Sequence, residues 1–271
     1  MGIDKFELEK ISEKFIEKFY ESDLQEAATK GRESISIDFF KLAKFNMMAA
    51  EQLLDKPRET IDALELAMIR RMRKWFNGLS AKQLAQVKHI GKYNIGKLTG
   101  IGDIKARFTN IPDSQKVQIK NISKEHIGKL IMVEGNVIKQ SDVWLEPICS
   151  KFECPACGSE MLKIIQLGNE PIKPLRCPCG YKSSFKQLTT IFADVQEIIL
   201  QDFPEIPEKK GKNAQISIIA RNDLAGAEMS RNTIEGKRIC VCGIVAEDMK
   251  IFKRSHKTPN LIINANNIEP I

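Results

Sequence analysis

Two patterns of hydrophobic positions divide the chain. In residues 1–100, apolar side chains recur near a 3.6-residue period, with Glu and Lys filling the opposite face, which is typical of amphipathic helices. The first predicted helix carries an apolar stripe of Phe6, Ile11, Phe15, Ile16 and Phe19. Further helices are predicted over about 37–54, which stops near Pro57, over 59–76, which ends at Asn77-Gly78, and over 80–91. This region is predicted to be a small helical bundle.

From about Lys105 the pattern changes to short apolar runs bounded by Gly, Pro, Asn and Asp. These runs predict six strands: Val117–Ile119, Leu130–Ile138, Ile191–Leu200, Ile216–Ala220, Ile239–Val245 and Leu261–Ile268. Short strands with turn residues between them favour a small barrel or sandwich. An insert at about 150–187, between the second and third strands, holds four cysteines.

Composition and charge narrow the class of protein. The 271 residues are 42% hydrophobic and 28% charged, as in ordinary globular proteins. No apolar run is long enough to span a membrane and residues 1–18 do not resemble a signal peptide. We therefore expect an intracellular protein without a membrane partner.

The net charge of +7 is unevenly placed: residues 70–107 contain ten basic side chains and one acid, and residues 249–268 contain four basic side chains and no acid. Such patches suggest a polyanionic partner.

The cysteines of the insert have the spacing of a metal site. Cys154-Pro-Ala-Cys157-Gly and Cys177-Pro-Cys179-Gly are separated by nineteen residues, and each pair resembles a zinc knuckle. Four thiolates suit one tetrahedral Zn²⁺ per chain and leave no open position, so its role would be structural. Cys149 is an alternative ligand. Cys240 and Cys242 share one face of a predicted strand and are interpreted as buried small hydrophobes.

Two glycine-containing segments invite other interpretations. Gly91–Leu98 has the glycine and lysine spacing of a P-loop, but Leu98 stands where Ser or Thr would hold Mg²⁺, so nucleotide binding is not predicted. Residues 98–106 match a helix-hairpin-helix pattern, whose backbone N–H groups would hold a DNA phosphate. The alternative is a linker with a solvated basic face.

A long hairpin with a basic tip is predicted between the last two strands. Its tip carries Lys250, Lys253, Arg254 and Lys257, and clustered cations on a protruding ribbon suit a phosphate backbone. The chain shows no constellation of residues typical of a catalytic site.

The order of these parts resembles the N-terminal region of the minichromosome maintenance (MCM) replicative DNA helicases. The resemblance covers about residues 35–271. It is carried by IDFFKLAKF at 37–45, HIGKL and VEGNV at 126–137, DVQEIILQDFPE at 194–205, NDL at 222–224 and GKRICVCGIV at 236–245. It implies an α+β fold of several subdomains: a helical bundle at 1–104, an OB-fold β-barrel at 105–149 and 188–271, and a zinc-binding module at 150–187 inserted in the barrel.

The resemblance also implies function. It implies a hexamer or double hexamer that encircles single- or double-stranded DNA, acts in DNA replication with other replication proteins and regulates an ATPase tier. DNA would contact the hairpin cations and Lys139 of the barrel. A regulatory loop would lie at about 205–214, with Glu205, Lys209, Lys210, Gly211 and Lys212. The family's Pro-Arg in this loop is replaced by Asn213-Ala214, so the loop either makes no DNA contact or makes it through lysines such as Lys212. An archaeal source is expected, in the cytoplasm or nucleoid; a eukaryotic member would be nuclear.

The chain stops at Ile271, where the ATPase domain of the family, with its ATP and Mg²⁺ site, would follow. We expect no ATP hydrolysis or unwinding from this chain alone, whether it is a fragment or a stand-alone relative. The alternatives are a single-stranded DNA-binding protein of the replication protein A type, which also combines OB and zinc modules, and an enzyme with a zinc appendage. The low aromatic content of 7% argues against the first, since such proteins stack bases on exposed aromatic rings.

Overall fold

The computed structural model describes residues 2–80, 104–164, 174–202, 214–226, 235–248 and 260–271. Together they form a helical subdomain and a β-barrel with a protruding β-ribbon. The described residues contain five α-helices: α1 (Lys5–Phe19), α2 (Glu21–Lys30), α3 (Phe39–Phe45), α4 (Met47–Asp55) and α5 (Pro57–Asn77). None of the helices in this part of the chain is long and apolar enough to cross a membrane.

Helices α1 and α5 form the core of the predicted bundle. Asp4 caps α1 by accepting a hydrogen bond from the backbone N–H of Glu7 (2.9 Å). The buried face of α1 contains Leu8, Phe15 and Ile16 and packs against α5. Phe6 is 68% exposed, so the apolar stripe begins at Leu8 rather than at the predicted Phe6.

The predicted helix over 37–54 is wrong in two respects. Residues Ser34–Asp38 form a strand, β1, and the remainder is divided into α3 and α4. Asp38 and Asn46 both have extended backbones, and each side chain accepts the N–H of the third residue of the helix that follows (2.9 Å in both cases). Each is therefore an N-cap, a signal that starts a new helix. The predicted helix over 59–76 is confirmed as α5, with Pro57 in its first turn. The predicted helix over 80–91 lies almost wholly outside the described residues.

The chain returns to the helical subdomain after residue 104. Strand β2 (Lys105–Thr109) pairs in parallel with β1, from Ser34↔Lys105 to Asp38↔Thr109. Phe108 is 1% exposed and belongs to the same hydrophobic core as α1 and α5. The onset of β-structure near Lys105 is confirmed, and this strand pairs with β1.

The remaining strands in the described residues form the barrel and the ribbon that protrudes from it. They are β3 (Leu130–Gln140), β4 (Trp144–Glu153), β5 (Glu160–Ile164), β6 (Lys186–Gln201), β7 (Gln215–Arg221), β8 (Arg238–Glu247) and β9 (Leu261–Pro270). Their order is β3-β8-β9-β7-β6-β4-β5, and a further pairing of β3 with β6 closes the barrel. Its interior is lined by inward-facing aliphatic side chains such as Val133, Ile218 and Val241, all 0% exposed.

Five of the six predicted strands are confirmed, as β3, β6, β7, β8 and β9. The prediction for Val117–Ile119 is wrong, because Ile119–Asn121 form a 3₁₀ turn. The carboxylate of Asp202 accepts the backbone N–H groups of Ile119 (3.0 Å) and Lys120 (2.9 Å). These bonds satisfy donors that a strand would direct to a neighbouring strand.

Glycine 243 is required by the close approach of β8 and β9, so we expect Gly243→Ala to destabilise the barrel. A Cβ at this position would lie 2.5 Å from Cγ2 of Ile263 and 2.6 Å from the carbonyl oxygen of Asn264. Overpacking of this kind costs about 1–3 kcal/mol, measurable as the free energy of unfolding in urea.

Gly78→Ala is the matched control for this substitution. Gly78 has φ −86°, and a Cβ there would be no closer than 3.4 Å to its neighbours. Its free energy of unfolding should change by less than about 0.5 kcal/mol. Equal effects of the two substitutions would contradict the packing assigned to Gly243.

Candidate metal centre and nucleic-acid interface

The cysteine insert is the outer part of a β-ribbon that grows out of the barrel. Strands β4 and β6 remain paired from Trp144↔Val195, in the barrel, to Glu153↔Lys186, beside the cysteines. Phe152 and Phe185 are 0% and 8% exposed and pack with Cys154 and Cys177 in a small separate core. The ribbon therefore carries the cysteines on two paired strands that extend from the barrel.

The four predicted metal ligands converge. The Sγ atoms of Cys154, Cys157, Cys177 and Cys179 all lie within 4.8 Å of one another. Two contacts join the two knuckles: Cys154 Sγ to Cys179 Sγ is 3.7 Å, and Cys157 Sγ to Cys177 Sγ is 3.6 Å. Four sulfurs at about 2.3 Å from a central Zn²⁺ would be separated by about 3.8 Å in a tetrahedron. The geometry of the quartet thus fits a tetrahedral metal.

Each knuckle is a tight turn that a glycine closes. In the first, the Gly158 N–H donates to the Cys154 carbonyl (2.8 Å), and in the second, the Gly180 N–H donates to the Cys177 carbonyl (2.9 Å). Their φ angles are +69° and +97°, a region that favours glycine. The glycines therefore relieve strain in the turn that aims two thiolates at one point.

The electrostatics of the first knuckle favour a thiolate. Hydrogen bonding with the side chain and the backbone of Ser159 lowers the pKa of the Cys157 thiol to about 6, and Cys157 Sγ lies 3.1 Å from Ser159 Oγ. A metal binds the thiolate form, so Ser159 prepares this ligand at neutral pH. Sequence reasoning missed Ser159, although its position two residues after Cys157 was available as a signal.

The remaining cysteines lie apart from the quartet. Cys149 is buried in β4, and its thiol donates to the carbonyl of Ser150 (3.9 Å). Cys242 is buried and Cys240 is partly buried on β8. Burial raises the pKa of Cys240 to about 11 and raises that of Cys242 further. Both thiols stay protonated at neutral pH, in keeping with the interpretation as small hydrophobes.

Among the predicted DNA-binding residues, the structure describes Lys139. It is exposed near the end of β3, next to a bulge in the pairing with β6 between Val137 and Lys139. Its ammonium group is therefore directed away from the barrel core. The other predicted contacts lie outside the described residues: the hairpin cations Lys250, Lys253, Arg254 and Lys257, the regulatory-loop residues Glu205, Lys209, Lys210, Gly211 and Lys212, and the glycine segments at 91–98 and 98–103.

The strands that flank the hairpin tip are in place. Strands β8 and β9 pair up to Glu247↔Leu261, and the Asp248 N–H donates to the Asn260 carbonyl (2.8 Å). Asp248 and Asn260, which flank residues 249–259 in the sequence, therefore lie side by side, as a hairpin requires.

Comparison with known proteins agrees with this architecture. The model of the MCM N-terminal domain matches residues 3–110, and the model of the MCM OB domain matches residues 118–249. The crystal structure of the N-terminal domain of an archaeal MCM superposes with a TM-score of 0.75 at 21% identity, covering 99% of this chain and 100% of that one. At this identity the likeness establishes the fold.

A curated relative extends beyond this chain. An uncharacterised MCM-type protein of Methanocaldococcus jannaschii is 26% identical over 198 residues, which is 69% of this chain. The match spans 26% of the length of that relative. Because the two family models together match most of the chain, in the expected order, the chain belongs to the MCM family and comprises its N-terminal and OB domains.

Proposed function

We propose that this chain is the DNA-binding, ring-forming N-terminal tier of an MCM replicative helicase. The observation that carries the proposal is the match of two MCM domain models, one after the other, to one chain whose barrel has the OB fold. OB barrels are recurrent binding surfaces for nucleic-acid strands. The chain would encircle single- or double-stranded DNA as a hexamer or double hexamer and would regulate an ATPase domain of the same protein.

In this proposal the metal is one structural Zn²⁺ per chain. Four cysteine ligands complete a tetrahedral coordination sphere and leave no position for substrate or water. The metal would fix the two knuckles at the end of the ribbon. Other replication proteins and a second ring are the partners to which such an ordered module could present a surface.

DNA would be held by cations that project from the barrel. Lys139 is the described candidate, and the hairpin tip between β8 and β9 adds Lys250, Lys253, Arg254 and Lys257. Each phosphate contact releases counterions, so the binding constant should fall steeply with salt concentration. The loop at 205–214 would relay DNA binding to the ATPase domain, with Lys212 as a further contact.

Lys139→Ala is expected to weaken binding of a labelled single-stranded oligonucleotide several-fold. The logarithm of the binding constant should depend less steeply on the logarithm of the salt concentration, by about 0.7 for one lost phosphate contact. Fluorescence anisotropy titrations at several salt concentrations measure both quantities.

Lys44→Ala removes the same charge from an exposed site on α3 and is the control. It should leave both the affinity and the salt slope unchanged. If the two variants bind alike, Lys139 is not a DNA contact.

A further inference from the structure

A buried polar network joins the helical subdomain to the root of the cysteine ribbon. Its members come from five different strands and one turn. They are Ser34 of β1, Arg107 of β2, Arg221 of β7, Asp223 of the turn after β7, Asn266 of β9 and Glu146 of β4. We call these six residues the junction network.

In the first part of the network, the side chain of Asn266 binds the backbone of β2 where a neighbouring strand would otherwise pair. The Phe108 N–H donates to Oδ1 of Asn266 (2.8 Å), and Nδ2 of Asn266 donates to the Ala106 carbonyl (2.8 Å). The side-chain amide thereby satisfies the edge of β2 that faces the barrel, as a backbone neighbour would. Asn266 is only 7% exposed. Undocking of β2 would therefore leave the amide oxygen and the amide nitrogen of Asn266 without these two partners.

The Arg107 guanidinium binds the barrel at several points. It forms an ion pair with Asp223 and donates to the carbonyls of Asn266 (3.0 Å) and Arg221 (3.4 Å). Ser34 Oγ donates to Asp223 Oδ2 (2.6 Å) from β1. Arg107 is 8% exposed, and a buried charge that loses its partner is strongly destabilising. These contacts therefore fix the position of β1 and β2, and with them the helical subdomain, against the barrel.

Arg221 continues the network to the ribbon. Its carbonyl accepts from Arg107, while its side chain donates to Glu146 Oε2 (3.2 Å) and Asn264 Oδ1 (2.7 Å). Burial lowers the pKa of Arg221, and the nearby Glu146 carboxylate opposes that effect. Glu146 is 6% exposed, so each member of this ion pair depends on the other.

Glu146 lies where β4 leaves the barrel. The strand runs on to Glu153 and Cys154, the first residue of the quartet, and its pairing with β6 shifts between Pro147 and Cys149 and again between Lys151 and Phe152. A shift of Arg221 would break its ion pair with Glu146, and the paired strands β4 and β6 would carry the change outward. The contacts thus form a continuous path from β1 to the base of the ribbon.

We propose that the junction network couples docking of the helical subdomain to the order of the cysteine ribbon. Loosening at one end loosens the other, because such coupling is reciprocal. The coupling follows from contacts within the chain and does not depend on DNA binding or ring formation.

Hydrogen exchange on the full chain tests the coupling with variants at each end. Arg107→Lys keeps the charge but loses the planar fork that reaches Asp223 and the two carbonyls. It is expected to raise amide exchange about tenfold in β1 and β2 and also in Trp144–Glu153, as loss of a hydrogen bond to a charged group would. Ser34→Ala should act in the same direction but less strongly. Glu146→Gln should in return raise exchange in β1.

Lys105→Ala is the matched control, because it breaks the neighbouring ion pair with Glu65 (2.8 Å), which is not part of the network. Exchange should rise at most at Lys105 itself and in α5, while β1, the rest of β2 and β4 exchange as in the unaltered chain. The double variant Arg107→Lys with Glu146→Gln should exchange no faster than the stronger single variant. Unchanged exchange in β4 of both Ser34→Ala and Arg107→Lys would overturn the proposal. It would also be overturned if exchange in the double variant rose by the product of the two single-variant factors. If Arg107→Lys raises exchange in every strand, Ser34→Ala alone tests the coupling. Raised exchange in both β1 and β4 of Ser34→Ala then supports the proposal, and unchanged exchange in its β4 overturns it.

Discussion

Replacement of Cys177 by serine is expected to abolish stoichiometric zinc binding and to disorder the insert while the helical subdomain remains folded. Cys177 is 2% exposed, and its Sγ lies 3.6 Å from that of Cys157. Structural zinc contributes about 10–16 kcal/mol of binding free energy to small four-ligand sites, whereas the insert has only a small hydrophobic core. Metal analysis and hydrogen exchange over 150–187 measure the two effects, and a strong chelator should reproduce them in the unaltered chain.

Two other cysteine variants serve as controls. Cys149→Ser tests the alternative ligand, and Cys240→Ser tests a partly buried thiol on the barrel. Both should retain one zinc per chain. A well-folded protein without zinc would refute the site, and loss of zinc from Cys149→Ser would reassign one ligand.

The second large effect is expected at the hairpin tip. The double variant Lys253→Ala with Arg254→Ala should weaken DNA binding by about tenfold or more. The slope of the logarithm of the binding constant against the logarithm of the salt concentration should become less steep by about 1.4–1.8, the value for two lost phosphate contacts. The physical reason is that both cations lie in a segment without acids, between two paired strands. Anisotropy titrations at several salt concentrations provide the measurement.

Lys10→Ala with Lys44→Ala makes the same change in net charge on the helical subdomain. This control should bind DNA as the unaltered chain does. If the hairpin variant retains full affinity, the hairpin has no part in DNA binding.

Features set by local sequence were predictable. The strand β3 follows from the short apolar run within Leu130–Ile138 and from the turn residues along the chain that bound such runs. The convergence of the cysteines follows from two knuckles, each contained within a few residues. The α5 helix follows from its period and from Pro57.

Features set by distant partners were not predictable. The strand β1 is stabilised by β2, whose first residue lies about seventy positions away, and Ser34–Asp38 was therefore included in a helical region. The strand β4 contains Pro147 and Glu146, which obscure its pattern, and the burial of Glu146 depends on Arg221 from another strand. The Arg107–Asp223 ion pair spans 116 positions, and no spacing rule connects them. The subdomain boundaries and the DNA contacts stay predictions.

The solution mass of the chain, measured by light scattering at several protein concentrations with and without single-stranded DNA, distinguishes a ring from a monomer. For the proposed ring we expect a mass near six or twelve chains, reached at higher protein concentration or on DNA. A chain that binds single-stranded DNA and remains a monomer at every concentration would contradict ring formation and would favour an independent single-strand binder.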